Sequence, residues 1–264
     1  MLDLDAYLAR LGLSGRPGLA EIHSAHVTSI PFENLDPHTG SAVSLDIGDL
    51  QRKLVIERRG GYCFEHNLLL REVLLALGAE VDMFLARVRL GAPPGVTRPR
   101  SHLVLRVRSN EGDWHADVGF GNGTLLEPIP FGPGTEHEQA GWRYRVVEED
   151  GELVLQGLRS GEWEDEYAFL PHPVASIDVE TINWYVSTHP SSPFVSGLIV
   201  ARQFDDGTRL AMSDWSELSL TESTPAASTT TALDPSEVPD LLTERFGLAG
   251  WTRDTDGRLV HSEP

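Results

Sequence analysis

The spacing of apolar residues along this 264-residue chain changes character twice. Up to about residue 80 it is helical. Leu4, Tyr7, Leu8 and Leu11 recur at helix spacing, the stretch Leu19 to His26 follows Pro17-Gly18, and the run Leu68 to Leu77 stops at Gly78. Ile30-Pro31-Phe32-Glu33-Asn34-Leu35-Asp36 interrupts these helices, because the proline drives Ile30 towards extended geometry, and it predicts a structured crossover. From Glu80 the period becomes two. Residues 82 to 90 and 102 to 108, joined by a Pro- and Gly-rich loop at 91 to 100, alternate in this way, as do residues 113 to 120 after Ser109-Asn110-Glu111-Gly112. Further strands at Arg143 to Val147 and Glu152 to Leu155 extend the pattern to about residue 170 and predict an antiparallel barrel or curled sheet. Asn183 to Phe194 reads as a polar, proline-punctuated connector. It leads to a hairpin of Leu198 to Phe204 with Thr208 to Met212, a Ser/Thr-rich loop at 221 to 231, and a helix opening at Asp234-Pro235 and closing at Gly247.

The helix beginning near residue 63 matters most, because the only cysteine of the chain stands where it should start. In Arg58-Arg59-Gly60-Gly61-Tyr62-Cys63-Phe64-Glu65-His66-Asn67 the two glycines reach backbone angles closed to other residues and suit a sharp entry into the helix. A cysteine in the first turn lies beside unpaired backbone N–H groups and the positive end of the helix dipole, which favour thiolate over thiol. A lone cysteine is equally a small buried hydrophobe. Catalysis needs His and Asp or Asn partners from elsewhere.

The hairpin offers them. If residues 109 to 112 form the loop, Arg108 faces Asp113 and Val104 faces Asp117, so His102 and Asp117 are diagonal neighbours on one face. A two-residue loop at Ser109-Asn110 sets them directly opposite, and an odd loop separates them unless a bulge intervenes. A carboxylate there fixes the tautomer of His102 and stabilises its protonated form, leaving the other ring nitrogen for a thiolate. An incidental His and Asp on a half-buried sheet satisfies the same periodicity.

Composition narrows the partners. Forty acidic against 21 basic residues give a formal charge of -19, which argues against a nucleic-acid backbone or an anionic membrane surface. The arginines gather locally at Arg58 and Arg59 and again at Arg87, Arg89, Arg98 and Arg100, which suits either a polyanionic small molecule or solvated surface charge. A single cysteine forms no intrachain disulfide, and the segment from Met1 to Tyr7 lacks the order of a secretion signal. No apolar run approaches the roughly 20 residues of a membrane span, so the cytoplasm is expected. His23 and His26 share a helix face but have no further ligands at metal-site spacing, and Cys63-x-x-His66 fails for the same reason. Surface histidines and no metal are expected.

Four stretches together resemble the arylamine N-acetyltransferase family: Arg59 to Asn67 its nucleophile motif, Ile30 to Asp36 its N-terminal motif, Asp117-Val118-Gly119-Phe120-Gly121 its aspartate motif, and Asn183 to Phe194 its interdomain segment. The resemblance implies an α+β fold with three parts. These are a helical N-terminal domain (residues 1–82) carrying Cys63, an antiparallel β-barrel (83–186) carrying His102 and Asp117, and an interdomain segment with a C-terminal α/β lid domain (187–264). It also implies that Cys63, His102 and Asp117 form a Cys-His-Asp triad arranged as in papain-like and transglutaminase-like enzymes. Ser101 stands where family members usually have Thr and keeps the hydroxyl. By the same matching Ser101, Gly119 and Phe120 border the acyl-CoA cleft, and Phe32 and Phe194 the acceptor pocket, although Phe32 is also a plain core candidate. The implied activity is transfer of acetyl from acetyl-CoA, a cosubstrate, to an aromatic amine or hydrazine by a ping-pong route through acetyl-Cys63. Two other readings stand beside it: a relative that closes a macrolactam from a carrier-bound polyketide, and an inert binding protein of the same fold.

Overall fold

The computed structural model describes residues 2–93, 95–110 and 112–262. Met1, Pro94, Glu111, Glu263 and Pro264, and with them part of the expected loops at 91–100 and 109–112, lie outside the described residues. The helical period of the first region becomes α1 (Leu4–Arg10), α2 (Leu19–Ser29), the two-residue strand β1 (Phe32–Glu33), α3 (Leu35–Thr39), α4 (Ile47–Leu50) running into a wider-wound turn (Gln51–Ile56), and α5 (Cys63–Ala76). Helix α5 begins at the cysteine as expected, and Glu65 reaches back 3.0 Å to accept the Tyr62 N–H. The chain then turns at Gly78, where the Ala79 N–H donates to Leu74.

The alternating region becomes β2 (Glu80–Val88), β3 (His102–Ser109), β4 (Gly112–Ala116), β5 (Ile129–Pro130), β6 (His137–Gln139), β7 (Trp142–Glu149), β8 (Glu152–Arg159) and β9 (Glu162–Phe169). They form one antiparallel sheet in the order β5-β4-β3-β2-β9-β8-β7-β6, curled into a nearly closed barrel. Strand β3 is buried on both faces. Leu103, Leu105 and Val107 join the core built by Leu69, Leu70 and Val73 of α5, whereas Val104 joins Phe84, Tyr167 and Phe169 inside the barrel. His102, an even position, shares the barrel side with Val104.

The last region has α6 (Ser176–Thr188), α7 (Pro193–Ser196), β10 (Ile199–Gln203), β11 (Arg209–Ser213), β12 (Ser219–Ser223), β13 (Ser228–Ala232), α8 (Val238–Glu244), β14 (Trp251–Arg253) and β15 (Leu259–His261). Two expectations change here. Most of the Asn183 to Phe194 connector is helix, because Val179, Asn183 and Val186 recur on one buried face of α6. The Ser/Thr-rich loop is a hairpin, in which β-branched threonines pair across β12 and β13 as Thr221 with Thr230. Strand β1 joins this sheet, Phe32 opposite Ala201, and so ties the first region to the last. Positions 82/83 lie inside β2 and 186/187 inside α6, since pairing of β2 with β3 begins at Glu80 and α6 continues to Thr188. Among the described residues no helix is long and apolar enough to cross a membrane.

Candidate active site

Cys63 is nearly buried and opens the first turn of α5. The glycines before it act through space rather than through backbone freedom. Neither has a positive φ, which falls instead on Arg58 at 55°. A Cβ on Gly60 would overlap the Pro31 carbonyl oxygen, and one on Gly61 would stand 2.7 Å from Glu65 Oε2. The approach is held by buried ion pairs. Lys53 Nζ lies 2.6 Å from Glu65 and 2.7 Å from Asp36, while Arg59 pairs with Asp36 at 2.6 Å and Glu33 at 3.2 Å.

The hairpin register carries the second residue to the site. Arg108 stands opposite Asp113 and Leu105 opposite Ala116, the parity that puts His102 and Asp117 on one face. The ladder runs one pair beyond the four-residue loop expected, to Ser109 opposite Gly112. Asp117 sits just past the end of β4, where the chain leaves the sheet, and its Oδ2 is 2.6 Å from His102 Nε2. His102 Nδ1 is thereby left for Cys63, which interacts with the ring by hydrogen bond and charge. Cys63 Sγ also lies 3.6 Å from the Ser101 carbonyl oxygen.

Burial alone would push His102 down, but the Asp117 carboxylate and then Cys63 outweigh it and raise His102 to about 10. Burial would raise Asp117, yet His102, Asn67 and the Gly119 N–H hold it well below the usual carboxylate range. The site therefore stores a protonated imidazole beside a sulfur. A carboxylate, an imidazolium and a cysteine at a helix N-terminus can form and discharge a thioester.

Three contacts that shape this geometry are not apparent from the motifs. Asn67, four residues after Cys63 and on the same helix face, donates to Asp117 Oδ1 at 2.9 Å and to the Leu103 carbonyl at 2.8 Å, and accepts the Val118 N–H at 3.1 Å. One amide thus joins the helix that carries Cys63 to the segments of His102 and Asp117; its helical spacing from Cys63 was the available signal. His23 donates from Nδ1 to the Leu126 carbonyl at 3.1 Å and accepts the Asp117 N–H on Nε2 at the same distance. Gly119 approaches α5 so closely that a Cβ would stand 2.7 Å from Cys63 Cα.

The expectation of surface histidines at positions 23 and 26 is wrong, since both are fully buried. Tyr7 O–H donates to His26 Nδ1, His26 Nε2–H to His66 Nδ1, each at 2.8 Å, and His66 Nε2–H to the Pro31 carbonyl at 3.2 Å. This chain of donors is complete with both rings neutral, so burial costs no unpaired group. Among the described residues no group of three or more His, Cys, Asp or Glu side chains is placed to hold a metal ion.

The remaining expected residues pack against His102, His66 and Tyr62. Phe120 sets its ring edge-on to His102, centroids 5.2 Å apart. Phe32 stacks on His66 at 6.4 Å and meets Phe194 at 6.2 Å; Phe194 in turn lies 5.5 Å from Tyr62. Phe32 is both a core residue and an aromatic beside the turn that leads into Cys63, because Glu33 N–H donates to the Gly61 carbonyl. Three arginines of the 87–100 cluster have partners within the protein. Arg89 pairs with Glu149, Glu152 and Asp165, Arg98 donates to the Leu90 and Gly91 carbonyls, and Arg87 to that of Arg98. A surface cavity of about 580 Å³ beside these arginines and one of about 500 Å³ between α4, α5 and α6 both lie away from Cys63.

Comparison with known proteins identifies the fold and the family. An N-acetyltransferase family model matches residues 17–250. An arylamine N-acetyltransferase of Mycolicibacterium smegmatis is 43% identical over 214 residues, 78% of each chain. That of Mycobacterium tuberculosis is 36% identical over 260 residues, 94% of this chain and 89% of its own. The solved structure of the Mycobacterium marinum arylamine N-acetyltransferase in complex with CoA superimposes with a TM-score of 0.88 at 37% identity, covering 93% of both chains. The chain belongs to the arylamine N-acetyltransferase family.

Proposed function

We propose that this protein transfers the acetyl group of acetyl-CoA to the nitrogen of an aromatic amine or hydrazine through an acetyl-Cys63 intermediate, with Cys63, His102 and Asp117 as its catalytic residues. The observation that carries the reading is His102, bound through Nε2 to Asp117 at 2.6 Å with its other nitrogen turned to Cys63 at the start of α5. The Cys63 thiolate attacks the thioester carbonyl. The tetrahedral adduct expels CoA sulfur, which takes the proton held by His102 and leaves as free thiol. The amine then attacks acetyl-Cys63, its proton passes to His102, and the S–C bond breaks to restore thiolate and imidazolium. The acetyl group and the protons balance over the two halves, and the kinetics are ping-pong.

The acceptor class follows from the same chemistry. An aromatic amine is uncharged at neutral pH, whereas an alkyl amine with a pKa of about 10.4 arrives protonated and non-nucleophilic. Phe32 and Phe194 supply an apolar wall for the acceptor beside the nucleophile turn, and Ser101, Gly119 and Phe120 border the CoA side. The reading places the protein in the cytoplasm, where acetyl-CoA is made and used.

Incubation with acetyl-CoA alone, followed by intact-mass spectrometry, is expected to add one acetyl group to the native protein and none to Cys63→Ala. The adduct is expected to disappear faster with an arylamine than with water. Turnover by a folded Cys63→Ala sample would end the covalent mechanism, and an adduct that a panel of arylamines left untouched would end the acceptor assignment.

A further inference from the structure

His115, on β4, is fully buried and has no part in the transfer just described. Its Nε2 lies 2.7 Å from the Tyr167 hydroxyl, and the two rings are nearly parallel, centroids 5.9 Å apart. Its Nδ1 has no hydrogen-bond partner among the described residues. Tyr167, fully buried on β9, packs its ring 4.8 Å from that of His102, and its hydroxyl interacts with the Asp117 side chain. Tyr167 therefore stands between His115 and the carboxylate.

The direction of the protons follows from what each arrangement leaves unpaired. If Tyr167 donated to His115, the neutral ring would carry its proton on Nδ1, burying an N–H without an acceptor, and Asp117 would lose a donor. In the other arrangement His115 Nε2–H donates to the Tyr167 oxygen, Tyr167 O–H donates to Asp117, and only a bare Nδ1 lone pair is unmatched. Orphaned buried donors are rarer than under-used acceptors, and a carboxylate is the stronger acceptor for the hydroxyl proton.

We propose that His115 is a positioning residue for the triad: held as the Nε2–H tautomer, it turns the Tyr167 hydroxyl onto Asp117 and so keeps the carboxylate in line with His102. The proposal rests on the Cys63–His102–Asp117 reading. Asp117 then receives Tyr167 in addition to Asn67, the Gly119 N–H and His102, which leaves it little freedom to rotate away. Ionisable groups bear on the relay from several elements. Asp117, His102 and His23 act on His115, and Arg106 stands opposite it on β3. Asp117, Glu166 and Tyr144 act on Tyr167, while Cys63 acts on His102. Burial pushes His115 down to about 4, so it is neutral wherever the enzyme is expected to work.

Nitrogen NMR of the intact protein labelled with ¹⁵N-histidine, with His115 assigned from its loss in His115→Gln, is expected to show a protonated Nε2 and a bare Nδ1. Single-turnover acetylation of Cys63 by acetyl-CoA, followed against pH, tests the consequence. His115→Phe keeps a ring but no donor. It should react about tenfold more slowly, the scale of one hydrogen bond, with its alkaline limb at lower pH because His102 is less firmly paired. His115→Gln, whose amide N–H can reach the same oxygen, should restore both rate and limb. A protonated Nδ1 in the native protein overturns the proposal, as does a Phe variant with native rate and native limb. Should His115→Phe fail to fold, the native tautomer and the Gln variant still decide. Turnover by Cys63→Ala would sink the transfer mechanism while leaving the tautomer result standing, so the two failures are distinguishable.

Discussion

His102 at the start of β3 and His66 in the opening turns of α5 are almost equally removed from solvent, at 2% and 1% exposure. Their proton affinities differ widely. His66 is pushed down to about 4, chiefly by burial, and burial also holds His26 beside it well below its ordinary value. His102 meets the same burial penalty and is nevertheless raised to about 10, because Asp117 stands 2.6 Å from it. Burial makes neutrality the default for an imidazole, and only a carboxylate kept ionised by its own donors reverses that default. Near Cys63 the protein has therefore built one charged imidazole and one neutral histidine chain, and the charged one faces the sulfur.

The strongest way to break this contrast is to remove the charge and keep the shape. Asp117→Asn should make His102 another neutral histidine and lower transferase activity by about four orders of magnitude, the scale seen when a triad carboxylate becomes an amide. Steady-state rates on a sample whose circular dichroism matches the native protein would measure it. A loss of only tenfold would mean that Asp117 does not hold the imidazolium.

A change of pH separates the two kinds of histidine by sign. The raised His102 contributes stability that is fully present below its ordinary value of 6.5 and is lost as pH rises through about 10. Acetylation of Cys63 is accordingly expected to hold through neutral pH and to fall about tenfold per unit above about 10. His23, His66 and His115 behave oppositely. Each is pushed down to about 4, so the stability it contributes is present above 6.5 and is lost as pH falls towards 4. Urea unfolding between pH 7 and 4 should show a falling midpoint, and a flat midpoint would refute their neutral burial.

The smallest effect on rate should come from the neutral chain. His26→Leu strands the Tyr7 hydroxyl and His66 Nδ1, at a cost of about 2–3 kcal/mol in unfolding free energy, while acetylation changes by no more than a few fold. Urea denaturation gives the first quantity and single-turnover kinetics the second. A rate loss approaching that of Asp117→Asn would place His26 in the chemistry and erase the distinction.

What the sequence determined by itself rests on local periodicity and on pairs of adjacent segments. The start of α5 at Cys63 and its end before Gly78 follow from a spacing of 3.6, whereas the period of two left the hairpin parity to the loop length, and the observed pairing of Arg108 with Asp113 decided for the register that puts His102 and Asp117 on one face. The family motifs added the expectation of an α+β fold and of Cys63, His102 and Asp117 as a triad. Tertiary structure decided whatever depends on segments far apart in the chain. His23 reaches the Asp117 N–H across 94 positions and Asn67 reaches its side chain across 50, and neither approach leaves a periodic trace. Helical spacing showed that His23 and His26 share a face but not that this face is the interior. A polar side chain can be buried only when distant partners satisfy it, and those partners are brought together by the fold. For the same reason Gly60 and Gly61 looked like sources of backbone freedom until the positions of Pro31 and Glu65 made them sources of room.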